Sequence, residues 1–128
     1  MQDRSEMRER AVVLVVEDEP IVRFCAVEML RDAGYEVLEA AAGDEALELI
    51  EARSDIAVLF TDIEMPGNID GHALVEIARA RQPAMRVVLT SGRMRPRTEE
   101  LPPLVLFLAK PYRPDDLISV VGGDRRYG

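Results

Sequence analysis

Apolar residues in this chain follow two periods. Residues 11–16 (Ala-Val-Val-Leu-Val-Val), 56–60 (Ile-Ala-Val-Leu-Phe), 85–90 and 105–108 are continuous or nearly continuous apolar runs, and the second of them stops on Thr61-Asp62. Runs of four to eight such residues, rich in Val, Ile and Leu and bounded by polar residues, predict strands buried on both faces. Residues 36–40 (Glu-Val-Leu-Glu-Ala) are shorter and more polar, as an edge strand is. Between the runs the spacing becomes helical. Pro20 stands where a first helical residue is welcome, with Ile21-Val22, Cys25-Ala26 and Met29-Leu30 behind it and Gly34 as a C-terminal stop. A second helix is expected over 44–53 with Ala46, Leu49 and Ile50 inward. A third is expected over 71–82 with Leu74, Ile77, Ala78 and Arg81 on one side and Pro83 closing it. The last spans 114–121, before Gly122-Gly123.

Strand and helix therefore alternate, which predicts an α/β protein with a doubly wound, five-stranded parallel sheet and helices on both faces. One connection breaks the pattern. Residues 92–103, between the fourth and fifth strands, hold Pro96, Pro102 and Pro103 and no apolar stripe, so an irregular connection is expected there instead of a regular helix.

At 128 residues the chain suits one domain, expected over 11–122 with short tails at 1–10 and 123–128. An apolar content of 48% and a charged content of 31% place it among soluble globular proteins. The net charge of −8 argues against nucleic acid as a partner. No apolar run approaches the roughly 20 residues of a membrane helix, and residues 1–10 lack the apolar segment of a secretory signal. Cys25, the single cysteine, reads as a small buried hydrophobe, and since no disulfide can form within the chain a cytoplasmic location is expected. One Cys and one His leave little for a zinc site or a Cys-His nucleophile pair.

The chemistry lies where the strands stop. The first strand is followed by Glu17 and Asp18, the third ends on Asp62, the fourth on Ser91, and the fifth is followed by Lys110. A parallel sheet gathers these ends on one edge, where open α/β sheets bind their ligands. Clustered carboxylates raise one another's proton affinity or recruit a cation, and an all-oxygen site suits Mg²⁺. A lysine and a hydroxyl beside a carboxylate are what phosphoryl transfer to Asp62 needs, because its transition state asks for charge and positioning.

These residues resemble the receiver domain of two-component response regulators, over nearly the whole chain. The motifs are Val16-Glu17-Asp18-Glu19-Pro20, Thr61-Asp62-Ile63-Glu64-Met65-Pro66, Asp70-Gly71, Thr90-Ser91-Gly92 and Lys110-Pro111-Tyr112. The resemblance implies the flavodoxin-like strand order 2-1-3-4-5. It implies that Asp62 accepts a phosphoryl group from a phosphohistidine on a histidine kinase or histidine phosphotransfer protein, and that phosphorylation changes binding to a downstream protein. It further implies Mg²⁺ held by Asp18, Asp62 and the Glu64 backbone carbonyl, with Glu17 acting through water. Ser91 would bind the phosphoryl group, Lys110 would pair with it, Phe107 would act as an aromatic switch alongside Ser91, and the Lys110–Pro111 bond would be cis. The loop after Asp62 is one residue longer than the commonest family pattern, and the fourth helix of the family has no counterpart in the pattern here.

Simpler readings stand beside these. Phe107 is also plain core, the Glu64 side chain reads as surface, His72 as a solvated or capping residue, and Arg93, Arg95 and Arg97 as a solvated loop. No phosphodonor histidine is apparent, and no effector domain follows the last helix in this chain, so a stand-alone regulator and the receiver portion of a hybrid kinase look alike. A Mg²⁺-dependent phosphohydrolase working through an aspartyl phosphate is the competing enzyme; Glu64 would have to be its water-activating acid. A binding-only pseudo-receiver is the third class, and the presence of every acid and the lysine speaks against it.

Overall fold

The computed structural model describes residues 11–93, 96 and 101–124. Among these, five strands, β1 (Val12–Val16), β2 (Glu36–Ala40), β3 (Ile56–Asp62), β4 (Arg86–Ser91) and β5 (Val105–Ala109), form one parallel sheet in the order β2-β1-β3-β4-β5. Four helices accompany them: α1 (Pro20–Asp32), α2 (Gly43–Ala52), α3 (Gly71–Arg81) and α4 (Pro114–Val121). Fold class and strand order are as expected from the sequence, and strand and helix ends agree within a residue or two. The conformation of residues 94, 95 and 97–100, on which the irregular fourth connection turns, lies outside the described residues.

The apolar runs are continuous because the sheet has two buried faces, and neighbouring residues on a strand point to opposite ones. Val12, Leu14, Val16, Leu59, Val87 and Leu89 face α2 and α3, meeting Ala46, Ile50, Leu74, Val75 and Ala78. Val13, Val15, Val58, Phe60, Val88, Leu106 and Leu108 face α1 and α4, meeting Ala26, Val27, Leu30, Leu117, Val120 and Val121. β1 is buried along its whole length. β3 departs from the expected two-sided burial only at Ala57, which is exposed where the β1–β3 register slips by a residue.

Two expectations about helix faces need correction. Cys25 is exposed, as are Ile21 and Phe24. The buried arc of α1 is made by Ala26, Val27 and Leu30, and the step of about 100° from Ala26 away from Val27 turns Cys25 to solvent. On α3 the inward residues are Leu74, Val75 and Ala78, with Ile77 half-buried. Arg81 turns outward and pairs with Glu51 of α2 at 2.9 Å.

The loop from β3 to α3 is tied to the sheet it leaves. Ile63 and Met65 are buried, Ile63 N–H donates to Thr90 O, and Gly71 N–H donates to Ile63 O, both at 2.9 Å. Asp70 caps α3, accepting from Ala73 N–H at 2.9 Å. Gly71 packs so closely beneath β3 that a Cβ there would lie 2.2 Å from Asp62 O and 2.7 Å from Ile63 Cα. Both neighbours are backbone and cannot step aside without moving Asp62. Gly71→Ala should therefore lower unfolding free energy by about 2–3 kcal/mol, the scale of overpacking. By contrast, Gly92→Ala, whose Cβ would meet Lys110 Cβ at an ordinary 3.8 Å, should stay within about 0.5 kcal/mol of wild type. Urea denaturation of the two variants tests the contrast.

Candidate functional site

The parallel sheet brings the predicted residues to one edge. Glu17 follows β1, and its N–H donates to Ala40 O of β2 at 3.1 Å, so its backbone extends the ladder. Arg23, one turn into α1, donates from Nη1 to Glu17 O at 2.8 Å and from Nε to Glu39 Oε1 at 3.1 Å. Asp62 ends the central strand, with Thr61 Oγ1 donating to its backbone oxygen at 3.0 Å. Glu17 and Asp62 keep only 4% and 6% of their surface exposed. One carboxylate oxygen each from Glu17, Asp18 and Asp62 lies within 4.8 Å of the others.

Charges of one sign at that spacing need a counter-charge, and Lys110 supplies it. Its ammonium donates to Glu17 Oε1 at 2.5 Å and to Asp62 Oδ2 at 2.9 Å. Lys110 arrives there because its own N–H donates to Ser91 O at 3.0 Å, which continues the β4–β5 ladder past the last strand residue. The Lys110–Pro111 bond is cis, as the resemblance implied. Beyond it Tyr112 stacks edge-on against Phe60, centroids 5.7 Å apart, and burial pushes its phenol up to about 12.

The protonation equilibria record the crowding. Burial pushes the Asp62 carboxyl above its ordinary range, against the downward pull of Lys110. Burial and the neighbouring Glu17 push Asp18 up as well. Burial disfavours the charged form of Lys110, but its hydrogen bonds to Glu17 and Asp62 together outweigh that and hold its pKa above the ordinary value. Ionised Asp62 therefore opposes folding at neutral pH, and the opposition is relieved as pH falls through its raised value. Lys110 contributes stability that is fully present below its unfolded pKa and disappears only as pH rises through the higher folded value.

Ser91 is 1% exposed. Its hydroxyl donates to Glu64 Oε1 at 2.6 Å and accepts from Arg93 N–H at 3.0 Å. The expectation of a surface Glu64 side chain is thus corrected: the residue is half-buried, and its Oε2 is buried with no hydrogen-bond partner among the described residues. The hydrogen bond from Ser91, with one from backbone, overcomes the effect of burial and leaves Glu64 more acidic than usual. Phe107 is half-buried on β5, opposite Leu89 in register and packed on the α2–α3 face. His72 is exposed. The roles of Arg23 and of the Glu64 carboxylate went unread in the sequence. An Arg three residues after a helix-starting Pro, beside a strand-end acid, was the one available signal for the former.

Replacing Lys110 with Met should leave Glu17 and Asp62 facing each other without a cation. At neutral pH the metal-free protein should lose about 2 kcal/mol, less than a fully buried pair would cost because the Lys110 side chain is 20% exposed. The gap between variant and wild type should narrow as pH falls through the raised Asp62 value, since a protonated carboxyl needs no ammonium. Urea titrations at pH 7 and near pH 4 measure it; an unchanged gap would mean that Lys110 stabilises by packing its stem.

Comparison with known proteins bears on family and fold. Sensor kinase CckA of Brucella abortus is 36% identical over 93 residues, covering 72% of this chain and 10% of the kinase. Transcriptional regulatory protein PdtaR of Mycobacterium tuberculosis is 38% identical over 112 residues, covering 85% of this chain and 54% of PdtaR. The chain thus spans about half the length of one relative and a tenth of the other. The solved receiver domain of hybrid histidine kinase CckA matches with a TM-score of 0.77 and 39% identity, covering 89% of this chain and 98% of that one. A response regulator receiver protein from Sinorhizobium medicae matches with a TM-score of 0.80 and 28% identity, covering 92% and 96%. The family model described as the response regulator receiver domain matches residues 13–122, and the chain belongs to that family.

Proposed function

We propose that this chain is a phosphoacceptor that takes a phosphoryl group onto Asp62 from a phosphohistidine of a histidine kinase or phosphotransfer protein. The observation that carries the reading is the Lys110 ammonium held between Glu17 and Asp62 at the strand ends of a receiver fold. An Asp62 carboxylate oxygen attacks phosphorus and the N–P bond breaks. The bond's electron pair returns to the donor imidazole, which takes up a proton from solvent. Lys110, already on Asp62, remains to pair with the transferred group, and Ser91 donates to it. Phe107, beside the site on β5, shifts with Ser91 to alter the surface offered to a downstream protein.

The oxygen ligands of the site fit Mg²⁺. Three carboxylates against one ammonium make a net-negative, all-oxygen cluster, the ligand chemistry a hard divalent cation prefers. Asp18, Asp62 and the Glu64 backbone carbonyl would hold the ion. Glu17, whose carboxylate already accepts from Lys110 and from Glu19 N–H, would act through water. When bound, Mg²⁺ offsets charge on the phosphoryl oxygens.

The functional unit is residues 11–122, with 1–10 and 123–128 as tails. It promotes its own phosphorylation and dephosphorylation but turns over no separate substrate. A cytoplasmic location suits a kinase-fed receiver, and among the described residues no helix is long and apolar enough to cross a membrane. The phosphohydrolase reading is not favoured, since its required water-activating acid, Glu64, is engaged by Ser91.

Incubation with acetyl phosphate and Mg²⁺ should add one phosphoryl mass that maps to Asp62, and Asp62→Asn should abolish it. Labelling of that variant at the wild-type level would overturn the assignment. Mg²⁺ at ten times its Kd should stabilise the unphosphorylated protein by about 1.4 kcal/mol. Asp18→Asn should lose that gain and Glu17→Gln should keep part of it, as read by thermal unfolding; the reverse ranking would exchange the direct and water-mediated ligands.

A further inference from the structure

A serine hydroxyl has one proton to donate. In this structure Ser91 gives it to Glu64 Oε1, at the short distance of 2.6 Å typical of a hydroxyl on a carboxylate. Phosphoryl oxygens on Asp62 would be acceptors too, so they and Glu64 would want the same proton. The two acceptors are also both anionic and sit around one buried residue. Ser91 therefore cannot serve both.

We propose that the Glu64 carboxylate is a latch: it holds Ser91 in the unphosphorylated arrangement, and the phosphoryl group must displace it. This rests on the reading of Asp62 as phosphoacceptor and adds a positioning residue to it. The local build supports displacement by side-chain rotation alone. Ile63 and Met65, on either side of Glu64, are buried and hold the backbone, whereas Pro66, Gly67 and Asn68 just beyond are exposed. The Glu64 carbonyl can thus stay in place while its carboxylate turns to solvent. Glu64 Oε2, buried with no hydrogen-bond partner among the described residues, is a cost of the latched state that rotation removes. Arg93 N–H, which donates to Ser91 Oγ at 3.0 Å, ties the latch to the beginning of the β4–β5 connection.

The test is the affinity for beryllofluoride, a phosphoryl mimic, with Mg²⁺ present, in wild type, Glu64→Ala, Ser91→Ala and the double variant. Glu64→Ala should tighten binding about tenfold, the scale of one charge-assisted hydrogen bond. In the Ser91→Ala background the same change should tighten binding by a clearly smaller factor, the part due only to repulsion between two anions, because the rest is shared by the two residues as one unit. The Arg93 amide resonance of the free protein should shift on Glu64→Ala. Glu64→Gln, which preserves shape and leaves a weaker acceptor, should tighten binding by a smaller factor and guards against a folding defect in the alanine variant. A gain of equal size in both serine backgrounds would overturn the latch, since Glu64 would then act through charge alone. No gain with Ser91 present would overturn it as well. Failure of wild type to bind beryllofluoride would instead remove the acceptor reading on which the latch rests.

Discussion

Two buried carboxylates and an ammonium at the end of a sheet set the terms for the rest of this molecule. Glu17 and Asp62 arrive from different strands, and Lys110 from a third reaches both of them. Without the cation the acids would repel at close range in a poorly solvated place. Even with it, burial keeps the proton affinities of Asp62 and Asp18 raised, and neighbouring carboxylates add to the effect. The fold thus holds its acids at a cost to stability, a common trade at functional sites.

That cost is tolerated because the sheet is rigid. β1 and β3 lie side by side between two apolar layers, so neither strand end can retreat from the other. Smaller braces refine the placement. Arg23 grips the Glu17 carbonyl, Thr61 bonds the Asp62 carbonyl, and Gly71 lets α3 press against the end of β3 where any side chain would intrude. A loop carrying functional groups is useful only if its base is fixed, and here buried Ile63 and Met65 fix it.

The Glu64–Ser91 hydrogen bond brings the same electrostatic logic to the neighbouring strand. Ser91 ends β4 and Lys110 follows β5, joined through Lys110 N–H and Ser91 O. Any movement of Ser91 is therefore felt both by the lysine that serves Asp62 and by the beginning of the connection after Arg93. Receiver domains of two-component systems interact with histidine kinases or phosphotransfer proteins.

Much of this was legible in the chain itself. Continuous Val, Ile and Leu runs announce strands with two buried faces, because nothing else in a chain this short buries every successive residue. The residue following each run then marks the sheet edge where Glu17, Asp18, Asp62, Ser91 and Lys110 gather. Local pattern does not say where on a helix the buried arc is centred, so it is the sheet beneath that leaves Cys25 exposed beside Ala26 and buries Val75 along with Leu74. It also did not reveal where the Glu64 side chain goes. Glu64 lies 27 residues from Ser91 in sequence, and a side-chain hydrogen bond from a loop to a strand end leaves no periodicity to detect. Residue type and spacing determined the strands, the helices and the list of reactive groups. Only the packed structure decided which of those groups touch, because contact depends on how the twisted sheet brings distant strand ends together.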